Sequence, residues 1–324
     1  MAGVRIGLVG AGSMGSLHAR VVSESPRADL AWIADPSRPA GEAAATRFGT
    51  TWLPHLRTDD VDAVVIAAAT EAHPKLADEV LDAGIPLLVE KPLADDIVDT
   101  RRLVERSAAA GIPLMCGFLE RYNPAIRTAL DFVEHPLHAT AIRHSPYVPR
   151  IRTGVASDLL IHDLDTMLRL FGQFPDSASG TAGYFHPDSD PRSEDVADAV
   201  LRFSNGSIGA ASASRISQRK VRTLVIGELD RQIELDLVRQ DITIYRHLGN
   251  APTDEESGLG YSQQTVIDIP VIRHQREPLA SQLDRFLDLI DGTGDPDEER
   301  ATLLPPHELL ATIRASIDDA ATRA

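Results

Sequence analysis

The sequence is poor in cysteine and has no long apolar runs. Cys116 is the only cysteine among 324 residues, so the chain can form neither an internal disulfide nor a multi-cysteine metal site, and a cytoplasmic location is expected. No stretch approaches the roughly 20 uninterrupted apolar residues that span a bilayer. The apolar start, Val4 to Val9, is short and interrupted by Arg5, which is atypical of a signal peptide. The sequence predicts no membrane role.

Positive charge is also scarce. The chain has 32 Lys and Arg against 48 Asp and Glu, a formal net charge of −16, and such a surface repels phosphate backbones and anionic lipids. Nucleic acid is therefore excluded as an expected partner. The 43% hydrophobic and 25% charged residues are ordinary for a globular protein, and the length exceeds that of one compact core. Two domains are expected.

The first third alternates short apolar runs with helical patterns. Strands are predicted at Val4–Gly10, Leu30–Ala34, Ala63–Ala69, Pro86–Glu90 and Pro113–Gly117. Helices are predicted at Leu17–Ser25, Ala40–Phe48, Lys75–Ala83 and Asp95–Ala110. Strict alternation requires crossover connections, so this part is expected to be α/β, a doubly wound parallel sheet of the Rossmann type.

The pattern changes at Tyr122, Asn123 and Pro124. The domains are accordingly predicted as 1–122 and 123–324, the second an α+β domain with an open, mostly antiparallel sheet. Its clearest signal is Ser204-Asn205-Gly206-Ser207 between two strands, which is typical of a hairpin with a type I′ turn. Residues 250–261 are expected to be a loop, and helices are predicted at 279–290 and 307–321 with a loop, 291–300, between them.

A glycine motif supplies the sharpest local signal. Gly10, Gly12 and Gly15 lie between a predicted strand and a predicted helix, and Asp35 follows Gly15 by 20 residues. The glycines would allow a tight turn, close approach of a pyrophosphate and close helix packing, and Asp35 would accept hydrogen bonds from a ribose. The alternative is a glycine-rich turn with a helix-capping Asp. The pattern favours dinucleotide binding.

The choice between the two nicotinamide dinucleotides depends on the residues after the second strand. Asp35 would repel the 2′-phosphate of NADP, which favours NAD. Ser37 and Arg38 follow directly and could receive that phosphate, so NADP stays the alternative.

Two further segments carry candidate chemistry. Glu90-Lys91-Pro92 follows a predicted parallel strand, at the sheet edge where α/β proteins bind ligands; the alternative is a solvated surface lysine. Asp158 and His162 are four residues apart and would share a helix face, so His162 could remove a hydroxyl proton with help from the carboxylate. The alternative is a capping Asp and a half-buried His. No second cluster has metal-ligand spacing, so no metal is expected.

Together these motifs resemble the glucose-fructose oxidoreductase, inositol dehydrogenase and MocA (Gfo/Idh/MocA) family. The resemblance covers nearly the whole chain and adds Leu17-His18-Ala19, Thr70 to His73, and Gly117 to Pro124. It implies a Rossmann domain followed by a domain whose open sheet forms the substrate floor and often the interface of a homodimer or homotetramer.

The resemblance also implies roles for individual residues. Lys91 would lie beside nicotinamide and the reacting hydroxyl, His162 would be the acid/base and Asp158 would assist it, while Tyr122 and Asn123 would lie near the substrate. Further cofactor contacts are expected from Ser13, Met14, Thr70, His73 and Glu90. The implied activity is hydride transfer between NAD(P) and a ring secondary alcohol or ketone of a sugar or cyclitol.

The substrate class rests on three arginines, Arg143, Arg150 and Arg152, which precede Asp158. Guanidinium groups suit phosphate or carboxylate recognition, and the stretch is similar to family members that act at C3 of nucleotide-linked sugars. The alternatives are an edge strand whose arginines pair with local acids, and an inositol or free-sugar dehydrogenase. A non-catalytic dinucleotide-binding regulator is the alternative of another class.

Overall fold

The computed structural model describes residues 3–149, 151–251, 262–272 and 276–323. Two compact units account for the chain: Met1–Tyr122 with Arg276–Ala311, and Asn123–Gln275 with Thr312–Ala324. The α-helices of the described residues are, in chain order, α1 (Ser13–Glu24), α2 (Arg38–Phe48), α3 (His73–Asp82), α4 (Ile97–Ala110), α5 (Pro124–Phe132), α6 (Ile161–Phe171), α7 (Pro278–Ile290), α8 (Pro296–Ala301) and α9 (Leu304–Arg323).

The first unit contains a parallel sheet. Its strands are β1 (Val4–Val9), β2 (Ala28–Ala34), β3 (Thr51–Leu53), β4 (Ala63–Ile66), β5 (Leu87–Val89) and β6 (Leu114–Cys116). They pair in the order β3-β2-β1-β4-β5-β6, with every pair parallel, so the predicted doubly wound fold is confirmed. β3 was not predicted, because three residues carry too little periodic signal.

Local sequence signals explain where the helices of this unit begin and end. Asp96 caps α4 by accepting a hydrogen bond from the backbone N–H of Asp99 (2.8 Å), and Gly111 ends it in the left-handed conformation, as is usual for such residues. α8 begins after Asp295, whose side chain accepts from two backbone N–H groups. A loop was predicted there, and the difference arises because a six-residue helix shows no hydrophobic periodicity.

The second unit contains an eight-stranded sheet. Its strands are β7 (His138–His144), β8 (Ser177–Gly183), β9 (Val196–Arg202), β10 (Ile208–Ser214), β11 (Val221–Gly227), β12 (Gln232–Asp236), β13 (Asp241–Ala251) and β14 (Ser262–Asp268). They are arranged in the order β14-β13-β12-β11-β7-β10-β9-β8. Only the β7–β10 pair is parallel, so the prediction of a mostly antiparallel sheet is confirmed. Most of the predicted 250–261 loop lies outside the described residues.

The predicted hairpin between β9 and β10 is present, but the prediction of a type I′ turn was wrong. Gly206 has φ of 87°, whereas Asn205 is not among the residues with positive φ. A hydrogen bond joins the Gly206 N–H to the Phe203 carbonyl, and the Phe203 N–H bonds to Ser207. The connection is therefore a three-residue loop in which the glycine alone needs the left-handed region.

The compact units differ from the predicted single division after Tyr122, because Arg276–Ala311 belongs with the first unit. The reason is apolar packing: Leu283, Phe286 and Leu287 of α7 are buried in the same cluster as Leu8 and Val22. A chain that leaves a core and later returns to it cannot be divided correctly from a local change of pattern.

Candidate functional site

The loop between β1 and α1 is a glycine turn in which each predicted glycine has a different environment. Gly10 has φ of 102°, and a Cβ there would collide with the Ala67 carbonyl; a Cβ at Gly15 would collide with the Gly10 carbonyl. Gly12 is exposed, with no heavy atom within 4 Å of the position its Cβ would take. Gly10 and Gly15 are thus required by contacts within the protein. The space at Gly12, beside the N-terminus of α1, is open to a ligand.

Asp35 connects this loop to the end of β2. Its carboxylate accepts hydrogen bonds from the backbone N–H groups of Ala11 and Ser37, each at 2.7 Å. A carboxylate has about four acceptor positions, so two remain for ribose hydroxyls. Asp35 therefore supports the loop and retains the capacity that the sequence analysis assigned to it.

A tryptophan that the sequence analysis missed lies beside Asp35. Trp52, on β3, donates from Nε1 to the Asp35 carbonyl at 3.0 Å. The Arg38 guanidinium lies 5.7 Å from the centroid of the Trp52 ring, and its Nε donates to Glu42 at 2.9 Å. To bind a 2′-phosphate, Arg38 would have to exchange the Glu42 carboxylate for it, and Asp35 would still repel that group.

A buried contact between a histidine and a carboxylate lies just before Lys91. His18 Nε2 lies 2.8 Å from a carboxylate oxygen of Glu90, and the second oxygen accepts from the backbone N–H of Lys91 at 3.2 Å. The two side chains are 3% and 10% exposed. Burial acts to raise the pKa of Glu90, but the His18 hydrogen bond and the charges of His18 and Lys91 outweigh it, so that pKa lies below its ordinary value. Glu90 is therefore a carboxylate held within the protein, and Lys91 beside it is half-buried.

Thr70 and His73 occupy the turn that leads into α3. Thr70 begins a 3-10 turn, Thr70–Ala72, and is half-buried. His73 is 1% exposed, and its ring nitrogens lie 2.9 and 3.1 Å from the carbonyl oxygens of Pro92 and Ala68. Dinucleotide contacts by His73 and Glu90 stay predictions, since the contacts shown for these two side chains are to protein groups.

Asp158 and His162 lie where a π-helical turn, Ala156–Leu160, runs into α6. The sequence analysis expected an ordinary helix here. Both side chains are half-buried, and because the π turn widens the helix by only one residue, i→i+5 in place of i→i+4, positions four apart still lie close to one face. Short π segments are frequent at functional sites.

The segment that enters this turn is held by Ser193 and Glu194, which precede β9 in the same unit. The Glu194 carboxylate accepts from the Ala156 N–H at 2.7 Å, and its backbone carbonyl accepts from Val155 at 3.1 Å. Ser193 donates to the carbonyl of Arg152 at 2.5 Å. A Cβ at Gly154 would collide with the Glu194 carboxylate. Gly154 and Glu194 were missed by the sequence analysis, since no motif connects them.

Asp195 and Arg215 reinforce the same segment. Arg215 donates to the carbonyl oxygens of Ile151 and Thr153 and lies 3.9 Å from Asp195. Burial acts to raise the pKa of Asp195, but three hydrogen bonds and the Arg215 charge outweigh it, so that pKa lies below its ordinary value. The donors to Asp195 are the backbone N–H groups of Phe185 and His186 and the Ser189 hydroxyl.

Of the three arginines considered for substrate recognition, Arg143 is engaged elsewhere. It is 1% exposed and makes two hydrogen bonds, at 2.9 and 2.8 Å, to the buried carboxylate of Asp163. The expectation that Arg143 offers its guanidinium to a ligand was wrong, because its charge is neutralised in the interior. Arg152 is exposed, and Arg150 lies outside the described residues.

The two junction residues, Tyr122 and Asn123, belong to different units. Tyr122 packs against the core cluster of the first unit. Asn123 is 4% exposed. Its side-chain oxygen caps α5 by accepting from the backbone N–H of Ala125, and its side-chain NH₂ group donates to the Leu237 carbonyl at 3.1 Å. These Asn123 contacts are structural, and the substrate contact expected from the resemblance stays a prediction.

The comparisons with known proteins cover both units. Residues 4–118 match the family described as an oxidoreductase family with an NAD-binding Rossmann fold, and residues 133–231 match the GFO/IDH/MocA C-terminal domain. Inositol 2-dehydrogenase of Rhizobium meliloti (strain 1021) is 32% identical over 65% of this chain and 69% of its own. The chain belongs to the Gfo/Idh/MocA family. It is an NAD-dependent oxidoreductase, as the resemblance implied.

Another Gfo/Idh/MocA protein is similar over more of the length. UDP-N-acetylglucosamine 3-dehydrogenase of Acidithiobacillus ferrooxidans is 27% identical over 89% of this chain and 88% of its own. A solved structure of that enzyme has a TM-score of 0.80 and 26% identity, covering 98% of this chain and 99% of that one.

The described residues contain no group of three or more His, Cys, Asp or Glu side chains able to hold a metal ion. In the same part of the chain, no helix has the length and apolar character needed to cross a membrane.

Proposed function

We propose that this dehydrogenase oxidises a ring secondary alcohol of a sugar, and that the sugar is nucleotide-linked and reacts at C3. The observation that carries the substrate class is similarity to UDP-N-acetylglucosamine 3-dehydrogenase across 89% of the chain, which includes both units. Sequence similarity to the inositol 2-dehydrogenase is higher but covers less of the chain, 65%. A cyclitol or free sugar is therefore the second candidate.

In the proposed reaction, bound NAD⁺ would supply the acceptor for the hydride that leaves the C–H of the hydroxyl-bearing carbon, and that carbon becomes the ketone. His162 takes the hydroxyl proton, and Asp158 orients the ring and stabilises the imidazolium. Lys91 donates a hydrogen bond and positive charge to the oxygen as negative charge develops there. Reduction of a ketone uses the same groups in reverse, with His162 returning the proton.

The cofactor contacts proposed on the first unit follow the shape of its loops. The open space at Gly12 receives the pyrophosphate beside the N-terminus of α1, where Ser13 and Met14 contribute backbone N–H groups. Asp35 accepts from the ribose hydroxyls. Thr70, at the carboxyl side of β4, contributes to the same surface.

Anion recognition is assigned to Arg150 and Arg152, without Arg143. The side chain of Arg152 is exposed. Its backbone carbonyl accepts a hydrogen bond from Ser193, which fixes the position of the backbone that carries the guanidinium group. A bidentate contact with phosphate would exploit the planar guanidinium.

The test is a substrate panel with purified protein, NAD⁺ and NADP⁺, following the absorbance of reduced nicotinamide. Nucleotide-linked sugars should be turned over faster than cyclitols and free sugars. Arg152→Ala should lower kcat/KM about ten- to a hundredfold for the nucleotide-linked class only, since a hydrogen bond to a charged group contributes about 1.5–3 kcal/mol. Arg239→Ala, an exposed arginine in the turn between β12 and β13, is the matched control.

Two outcomes of that panel would redirect the proposal. Equal kinetics on neutral and anionic substrates, before and after Arg152→Ala, would favour the cyclitol or free-sugar alternative. NAD(H) binding with no turnover of any class would favour a regulator. Lys91→Ala and His162→Ala should each lower kcat, the latter by about 10²- to 10⁴-fold, while NADH still binds.

The same proposal includes a cytoplasmic homodimer or homotetramer assembled through the sheet of the second unit. One face of that sheet leaves apolar side chains in solvent, with Val200 52% and Ile208 45% exposed. Light scattering during size exclusion should give two or four times the chain mass, and Val200→Asp should lower it. A wild-type mass of one chain would remove this part of the proposal.

A further inference from the structure

Three buried histidines contact the four residues Glu90 to Leu93, which carry Lys91. His18 lies on α1, His73 begins α3 and His307 lies on α9. They are 2%, 1% and 4% exposed. None belongs to the proposed proton-transfer machinery, and all three lie in the first unit.

Each histidine contacts a different residue of the segment. His18 Nε2 lies 2.8 Å from the Glu90 carboxylate. His73 Nδ1 lies 2.9 Å from the carbonyl oxygen of Pro92. His307 Nε2 accepts from the backbone N–H of Leu93 at 3.0 Å. The contacts therefore fall on both sides of Lys91.

The other ring nitrogen of two of these histidines is also fixed. His307 Nδ1 lies 2.7 Å from the Leu303 carbonyl, so it carries the proton and leaves Nε2 as the acceptor. His73 Nε2 lies 3.1 Å from the carbonyl of Ala68, just after β4. His307 thus joins the segment to the Leu303 carbonyl through two hydrogen bonds, whereas burial lowers the pKa of His73, so its ring has one N–H and donates to only one of its two carbonyls.

Irregular backbone makes such contacts necessary. Residues 91–95 lie between β5 and α4 without regular secondary structure, so neither a strand ladder nor a helix satisfies their backbone groups. Pro92, Leu93 and Ala94 are nonetheless buried. Buried backbone groups require hydrogen-bond partners, and imidazole can supply a donor or an acceptor at the end of a rigid ring.

We propose that His18, His73 and His307 are positioning residues that fix the backbone from which the Lys91 side chain extends. The inference rests on the role proposed above for Lys91. If the backbone of Lys91 moves, its ammonium group no longer lies at the correct distance from the reacting oxygen. A displacement of about 1 Å can lower the rate of the chemical step about 10²-fold.

The experiment compares, at two positions, a variant that keeps the required hydrogen-bonding atom with one that removes it. His18→Gln keeps an N–H donor for Glu90, and His307→Gln keeps an acceptor for Leu93. His18→Leu and His307→Leu keep neither. Where His18→Leu does not fold, His18→Leu combined with Glu90→Gln removes the uncompensated buried charge.

Kinetics and binding are then measured separately. The Leu variants should lower kcat about 10- to 100-fold, with the dissociation constant of NADH within about twofold of wild type, and the Gln variants should recover most of the loss. Ser107→Ala is the matched control, since Ser107 is 0% exposed and donates to the Ile112 carbonyl at 2.6 Å, away from this segment. It should lower stability and leave kcat unchanged.

Two readouts separate this inference from the proposed role of Lys91. In a Lys91→Ala background the His18 and His307 substitutions should lower kcat no further, because their effect acts through Lys91. The rate of reductive methylation of Lys91, read by mass spectrometry, should change in the Leu variants and not in Ser107→Ala.

The outcomes are distinct. An unchanged Lys91 methylation rate, or kcat losses that multiply with that of Lys91→Ala, would overturn the positioning inference. A Lys91→Ala enzyme with wild-type kcat would overturn the proposed role of Lys91, while altered methylation in His18→Leu and His307→Leu would still support positioning.

Discussion

Gly154→Ala should disorder the turn that carries Asp158 and His162, although it adds only one methyl group. The added Cβ would collide with the Glu194 carboxylate. Glu194 is 9% exposed and accepts the Ala156 N–H at 2.7 Å, so moving the carboxylate aside breaks that bond. A hydrogen bond to a charged group contributes about 1.5–3 kcal/mol.

Hydrogen exchange measured by mass spectrometry is the suitable assay, because Trp32 and Trp52 both lie in the first unit and their fluorescence would not report on the second. With 1.4 kcal/mol per factor of ten, amides of residues 156–160 should exchange about 10- to 100-fold faster. The kcat should fall by a comparable factor, since the helix face bearing His162 moves.

A double substitution tests the reason for the effect. Glu194→Ala removes the carboxylate, so Gly154→Ala in that background should have almost no further effect on exchange or kcat. Gly227→Ala is the matched control, since its nearest heavy atom, the His138 carbonyl oxygen, would lie 3.7 Å from the new Cβ. Additive effects of the two substitutions, or slowed kinetics in Gly227→Ala, would refute the reasoning.

Two other expectations concern the cofactor and acid stability. Asp35→Ala should narrow the preference for NADH over NADPH in fluorescence titrations, and a wild-type preference for NADPH would contradict the role given to Asp35. Asp195 has a pKa in the folded protein below its ordinary value. Its contribution to stability is therefore complete above the pKa of the unfolded state, about 3.9, and is lost as the pH falls through the lower pKa of the folded state. Asp195→Asn should therefore be less stable than wild type at pH 7 by urea denaturation, with the difference shrinking in acid; a constant difference would count against the assignment.

The parallel sheet and the glycine loop could be predicted because their determinants are local. Strand, loop and helix follow one another within residues 4–24, and Asp35 is at the expected distance. In contrast, the return of α7 to the first core depends on Leu283 and Phe286 meeting side chains more than 250 residues earlier. Nothing in the local pattern of that helix distinguishes one apolar surface from another.

The catalytic candidates could be named, but the residues that hold them could not. Lys91 and His162 lie in short motifs, whereas Glu194 is 38 residues from the amide it caps and His307 is 214 from Leu93. Hydrogen bonds of this kind have no spacing rule. The π turn at Ala156–Leu160 could not be predicted from the sequence either, because the same residues are compatible with an ordinary α-helix.

Arg143 shows why a count of charges in a segment overstates what a ligand can meet. Its partner Asp163 is 20 residues away in the sequence and directly follows His162. This buried pair therefore joins β7, which carries Arg143, to α6, which carries His162. Removing one member of such a pair typically costs about 3–5 kcal/mol, because the other charge stays buried and uncompensated. A loss of activity in an Arg143 variant would therefore report on the support of His162 and not on anion binding. Substrate charge has to be tested at Arg152, whose side chain is exposed and can be removed without leaving a buried charge behind.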